Sequence, residues 1–336
     1  GSIDTYSGNN SFGVSLDILS EDTVLGQAVF LDVLLSPSFD SREVERERTS
    51  QLAAIELQRD HLLTHTLKKL RRLIFGDIGY GLDSLGEAAA VKSLTRENIS
   101  AHYRTLTSPA NGVMAIFGDI DSTQVHEQIE ATLAAWNSPI PSLVLPEFTP
   151  LPKAMCDRVS TEKEQAVVTL GFNGCTLAHA DRYAMDLISE ALNDMGSRLF
   201  LKIREELGLA YYVGTQNFAG RIPGCFSFYA GTAADAAEQV ETELVNQAKC
   251  LANEGLTKEE LMRAKAKLIG HRKIARQDLG SVAFATCMDE LLGLGYNHHA
   301  EEDTRIESVT FEQVRDVANR YFGTEQFATA VSIPSK

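Results

Sequence analysis

The stretch Gly196-Ser-Arg-Leu-Phe-Leu-Lys-Ile-Arg-Glu-Glu-Leu-Gly-Leu-Ala-Tyr-Tyr-Val213 decides how the rest of the chain is read. Leu199, Phe200, Ile203 and Leu207 recur at helical spacing and give one apolar face. Gly208 follows the last of them, where a left-handed C-terminal cap needs a residue without Cβ. The period then changes. Leu209 to Val213, continuing past Gly214 to Phe218, is rich in β-formers and reads as a strand. A helix that ends on glycine and runs straight into a strand holds Arg204, in its last turn, in a fixed relation to Tyr211. Arg204 supplies a permanent cation and Tyr211 a phenol that can donate a hydrogen bond. An ordinary helix-strand junction with a surface Arg and a half-buried Tyr is the alternative that this segment alone leaves open.

Working outward, the second half opens with a strand over 165–171 and a helix over 181–193, whose apolar positions are Ala184, Leu187, Ile188, Ala191 and Leu192. After the central stretch come a strand over 225–229, a long helix over 233–252, and Thr257 to Glu260 as a capping box that starts another helix. The first half begins with two strands in 3–19 joined by a turn at Gly8-Asn-Asn-Ser. Ser20 to Thr23 is expected to cap a helix over 24–35, and a charge-dense helix follows Ser41. Gly112 to Gly118 reads as a buried strand. Leu94-Thr95 with its helix and the strand 113–117 is echoed by Val309-Thr310 with its helix and the strand 327–332. The echo predicts two copies of one design, and long helices over antiparallel sheets rather than strict βαβ alternation predict an α+β class. Pro139, Pro141, Pro146, Pro150 and Pro152 crowd one segment that cannot continue a helix or a central strand, which places a boundary there. The expected division is 1–137, a linker 138–152, and 153–336.

With 336 residues, 44% of them hydrophobic and 23% charged, the chain has material for two globular cores. A net charge of -15 leaves no basic excess to displace counterions from phosphates, which argues against nucleic acid as a partner. No apolar run reaches the roughly 18 residues of a membrane span, and no leader is visible. Five widely spaced cysteines without a CxxC read as buried thiols of a reducing compartment; the cytoplasm is expected, with the periplasm as the alternative.

The run Ser197-Arg198-Leu199-Phe200, Arg204-Glu205 and Gly208-Leu209-Ala210-Tyr211 resembles the C-terminal-domain motif of the insulinase/pitrilysin zinc peptidases, which include the mitochondrial processing peptidases. Further landmarks run in that family's order: Phe39 with Glu45 to Arg48, Gly79-Tyr80-Gly81, the Leu94-Thr95 helix, Gly118-Asp119, and Leu256 to Glu260. The resemblance implies two homologous α+β domains, each an antiparallel-rich sheet packed with long helices. The first would lack its opening strand and the helix that bears the zinc motif. It also implies that Arg204 and Tyr211 reach a zinc site in another domain and hold the peptide and its scissile carbonyl.

The sequence departs from that family where metal is concerned. Zinc is bound there by HxxEH, two histidines on one helix face with a glutamate between them, plus a glutamate on a later helix. HxxEH is absent from these residues, and aligning Glu47-Arg48 with the family helix puts the later ligand at Ala54. Glu56 is about 200° further around the helix. His61 and His65 stand four apart without a carboxylate between them, and His298-His299 read as loop residues. The expectation is therefore a non-zinc half: no cofactor in this chain, zinc in a homologous HxxEH-bearing partner half, and a peptide substrate bound as an added strand at a sheet edge. A scaffold subunit that cleaves nothing and a truncated zinc peptidase remain as alternatives.

Overall fold

A computed structural model describes residues 1–134, 136 and 144–335. In chain order these form β1 (Ser2–Ser7), β2 (Phe12–Asp17), α1 (Thr23–Leu35), α2 (Ser41–Asp60), α3 (Leu62–Phe75), α4 (Ala88–Ser93), α5 (Arg96–Leu106), α6 (Ser122–Leu133), β3 (Met155–Thr161), β4 (Ala166–Asn173), α7 (Arg182–Leu192), a π-helix (Phe200–Glu206), β5 (Ala210–Phe218), β6 (Cys225–Thr232), α8 (Ala237–Glu254), α9 (Lys258–Ala275), α10 (Leu279–Leu291), α11 (His298–Ser308), α12 (Phe311–Phe322) and β7 (Phe327–Pro334). The class is α+β. No helix among the described residues is long and apolar enough to cross a membrane.

The chain divides into two compact units, neither continuous in sequence: Gly1–Ile55, Ser84–Val144 and Lys273–Glu301, and then Glu56–Asp83, Leu145–Arg272 and Glu302–Lys336. In the second unit five strands lie in the order β3-β7-β4-β6-β5, with β3 and β7 parallel and the other neighbours antiparallel. Alternation along β4 and β6 sends Leu170, Phe172, Phe226 and Phe228 to one face, where α7, α8 and α12 cover them. The Phe322 ring of α12 stands 4.9 Å from Phe226 and 5.3 Å from Phe172, edge to face. The opposite face receives α3 through Leu70, Ile74 and Phe75.

That burial is why α3 belongs to the second unit although the sequential division places residues 62–75 in the first domain. The division 1–137, 138–152 and 153–336 is a statement about homology, and we keep it as a proposal. Of its linker, 138–143 lies outside the described residues. Leu151 in its later part is buried against the α3 side of the sheet, so this part packs and does not merely space.

Both copies of the echoed helix start are built alike. Thr95 and Thr310 each accept from the backbone N–H three residues on, and Asn98 and Gln313 reach back to the cap backbone. Replacing Thr310 with alanine is expected to lower stability by about 1 kcal/mol, with serine near neutral, as read from urea unfolding.

The first unit holds the β1–β2 hairpin, paired from Ser2↔Asp17 to Ser7↔Phe12. Several expectations fail here. Residues 112–118 form no strand, and Val113, Ile116 and Phe117 are exposed. A strand needs a ladder, and among the described residues of this unit only β1 and β2 pair with each other. Ser20–Asp22 is a 3₁₀ turn and gives α1 no side-chain cap; Thr23 Oγ1 instead donates to the Ser20 carbonyl at 2.6 Å. His298 and His299 open α11 and are not loop residues, and His299 Nδ1 lies 2.9 Å from Asp289 Oδ2. The five cysteines are free, but only Cys175 and Cys225 are buried; Cys156 and Cys250 are exposed.

Candidate functional site

The central motif separates into residues that build and residues that are left outward. Ser197 is buried, and its Oγ accepts from the Phe200 N–H at 3.2 Å, which starts the helix. Arg198 reaches Glu260 with two donors, Nε at 2.8 Å and Nη2. Glu260 in turn accepts from the Thr257 N–H at 2.7 Å and closes the capping box of α9. Leu199 and Ile203 go into the core.

The expected α-helix is a π-helix over Phe200–Glu206, in which Leu207 N–H reaches back five residues to the Lys202 carbonyl at 3.1 Å. The wider turn rotates Leu207 off the apolar face that its spacing predicted, leaving it 36% exposed. Gly208 takes φ 63°, the left-handed cap that the sequence called for. Arg204 lies in the last turn. Its guanidinium carbon stacks 4.9 Å from the Phe200 ring centroid, and its side chain is half exposed. Nε is 4.0 Å from the exposed Glu205 carboxylate, too loose a pair to neutralise the cation.

Tyr211 sits on a second irregularity. Ala210 is opposite Thr232 and Tyr212 is opposite Gly231, so Tyr211 is a bulge residue with no counterpart on β6. It is 55% exposed, and among the described residues its hydroxyl has no hydrogen-bond partner. β5 is the edge of the sheet, and its far end is pinned where the Phe218 ring meets Tyr80 at 4.7 Å. The Tyr80 hydroxyl accepts from the Arg221 N–H at 2.7 Å, which accounts for the Gly79-Tyr80-Gly81 landmark in structural terms. Arg204 and Tyr211 are thus both presented outward by one continuous segment, each from a backbone irregularity that apolar periodicity does not reveal.

The described residues do not fit a zinc ion. No three His, Cys, Asp or Glu side chains among them come together as a metal would require. Ala54 offers a methyl group on α2, and Glu56 is exposed and paired with Arg59 at 2.9 Å. His61 caps α3 and His65 lies one turn on, and no third metal-ligating side chain joins them among the described residues; burial and the neighbouring lysines hold His65 below its ordinary value. Thiol chemistry is no better supported. Burial pushes the Cys175 thiol up to about 11 and raises Cys225 too, keeping both protonated.

Comparison with known proteins agrees with the motif. A family model described as the peptidase M16 inactive domain matches residues 93–268. An uncharacterized zinc protease of Streptomyces coelicolor is 30% identical over 322 residues, covering 91% of this chain and 68% of that protein. The uncharacterized zinc protease YmxG of Bacillus subtilis is 25% identical over 326 residues, covering 95% and 77%. The crystal structure of a peptidase M16 inactive domain from Pseudomonas fluorescens superposes with a TM-score of 0.88 at 20% identity, over 99% of this chain and 81% of that one. With its Arg/Tyr motif, its fold and these matches in agreement, the chain belongs to the peptidase M16 family, the insulinase/pitrilysin zinc peptidases.

Proposed function

We propose that this chain is the non-zinc half of an M16 metalloendopeptidase, binding an extended peptide and lending Arg204 and Tyr211 to a zinc site carried by a homologous HxxEH half. The observation that carries this reading is the division of labour within the motif. Ser197, Arg198, Leu199, Ile203 and Gly208 are all used in folding, while Arg204 and Tyr211 are exposed, without a strong partner, on a π-helix and a β-bulge. In the assembled enzyme Arg204 orients the peptide by its carbonyl or carboxylate oxygens, and the Tyr211 hydroxyl donates to the oxygen that gains charge as the scissile carbonyl is attacked. The edge strand β5, which carries Tyr211, suits backbone pairing with the peptide.

The test is the zinc content of the purified chain after dialysis against zinc, together with hydrolysis of a generic unstructured peptide. Substoichiometric zinc and no hydrolysis alone, with hydrolysis on adding an HxxEH half, is the expected result. Stoichiometric zinc with hydrolysis by the chain alone would sink the proposal.

A further inference from the structure

The edge of β5 is not uniformly open. Asn193, the residue that ends α7, turns its side-chain amide onto Thr215: Nδ2 donates to the Thr215 carbonyl at 2.8 Å, and Oδ1 accepts from the Thr215 N–H at 2.7 Å. A primary amide has the same donor and acceptor as a peptide group, so Asn193 makes the two bonds that a neighbouring strand would make at that position. In an antiparallel ladder a residue turns its N–H and C=O both toward its partner strand or both away, in alternation. Thr215 turns both away from β6, so Val213 and Asn217 do too. Among the described residues no hydrogen bond engages the outward backbone groups of Val213.

Asn193 is held firmly enough to act as a fixed stop. Nδ2 also approaches Ser189 Oγ at 3.3 Å, and Lys267 ties the segment down by donating to the Asn193 carbonyl at 3.3 Å while pairing with Glu190 at 2.9 Å. The blocked position divides the edge into a short free stretch at Val213, next to the Tyr211 bulge, and a separate one at Asn217.

We infer that Asn193 is a positioning residue: it ends strand addition at Thr215, confines an extended peptide to the Val213 end of β5, and so sets which peptide bond comes to Tyr211. This rests on the proposed peptide-binding role of the same segment. Sliding the ladder by one hydrogen-bonding repeat moves the peptide by two residues, so the stop selects one register.

The experiment is amide hydrogen exchange on the full chain, with and without a blocked alternating Thr-Val hexapeptide as the strand probe. In the native chain the probe slows the Val213 amide and leaves Thr215 at its already slow rate. In Asn193→Ala the Thr215 amide exchanges about fivefold faster without the probe, as loss of one hydrogen bond implies, and is slowed when the probe is added. Asn193→Asp keeps the acceptor and guards against a folding failure: its Thr215 amide stays slow, and the probe still stops at Val213. A Val213 amide indifferent to the probe, or a Thr215 amide that exchanges equally in the native chain and Asn193→Ala, overturns the inference.

In the assembled enzyme, Asn193→Ala should add products displaced by two residues. Products that do not move, while cleavage still depends on Arg204 and Tyr211, overturn the stop and leave the proposed function standing. Cleavage indifferent to Arg204 and Tyr211 sinks the proposed function itself, whatever the exchange experiment gives.

Discussion

Replacing Tyr211 with phenylalanine in the assembled peptidase is expected to lower kcat by about two to three orders of magnitude, the usual cost of removing one donor from a developing oxyanion. The ring survives, the hydroxyl has no partner among the described residues, and the bulge geometry does not need it, so the melting temperature should not move. Arg204→Ala is expected to cost as much in kcat/KM with part of the loss in KM, because a cation that orients the peptide also helps to bind it. Its removal also frees the Phe200 face, a change of no more than about 1 kcal/mol in stability at an exposed site. The pair of measurements separates the proposed role from a scaffold. Turnover like that of the native enzyme in both variants, with intact assembly, would mean that the motif is inherited and unused.

The second large effect concerns the part of the motif that folds. Arg198 and Glu260 are mostly buried, and Glu260 also accepts from the Thr257 backbone, so Glu260→Ala leaves a buried guanidinium and an open helix start. Removing one partner of such a pair is expected to cost about 3–5 kcal/mol. Glu260→Gln should cost less, since an amide oxygen can still accept from Thr257 or Arg198.

The pH dependence follows from the same contacts. Burial pushes the Glu260 carboxyl up, but the Arg198 guanidinium and the Thr257 backbone outweigh it and hold the group below its ordinary value of 4.5. A carboxyl depressed in the folded state stabilises above its unfolded value, and that contribution is lost as pH falls through the folded one. Urea unfolding of the native chain and Glu260→Gln should therefore differ most above pH 4.5 and converge in more acid solution. A gap that widened on acidification would contradict this assignment.

Much of the second unit was legible because its signals are local. Gly208 after the apolar run gives a left-handed helix end whatever surrounds it. The spacing of Leu187, Ile188, Ala191 and Leu192 gives α7 its buried face, and Thr257 and Thr310 cap the helices they precede. The Arg/Tyr motif carries the family, and Pro146, Pro150 and Pro152 lie outside helices and strands, although Leu151 among them is buried.

What failed depended on neighbours distant in sequence. Val113 to Phe117 has the composition of a buried strand, but composition cannot supply a ladder partner. Residue type predicts Cys156 and Cys250 to be buried, whereas exposure is decided by which face of β3 and α8 each occupies.

The sequence by itself determined the family and the α+β class of the second unit, and it singled out the two residues that we propose for the chemistry, because caps, periods and a motif are properties of consecutive residues. Only the tertiary structure decided how those residues are presented. The π turn that carries Arg204, the bulge that exposes Tyr211 and the Asn193 amide on the edge of β5 each arise where a helix must meet a strand already paired with β6. Backbone hydrogen bonds there must be satisfied across residues far apart in the chain, and no local pattern records which partner will satisfy them.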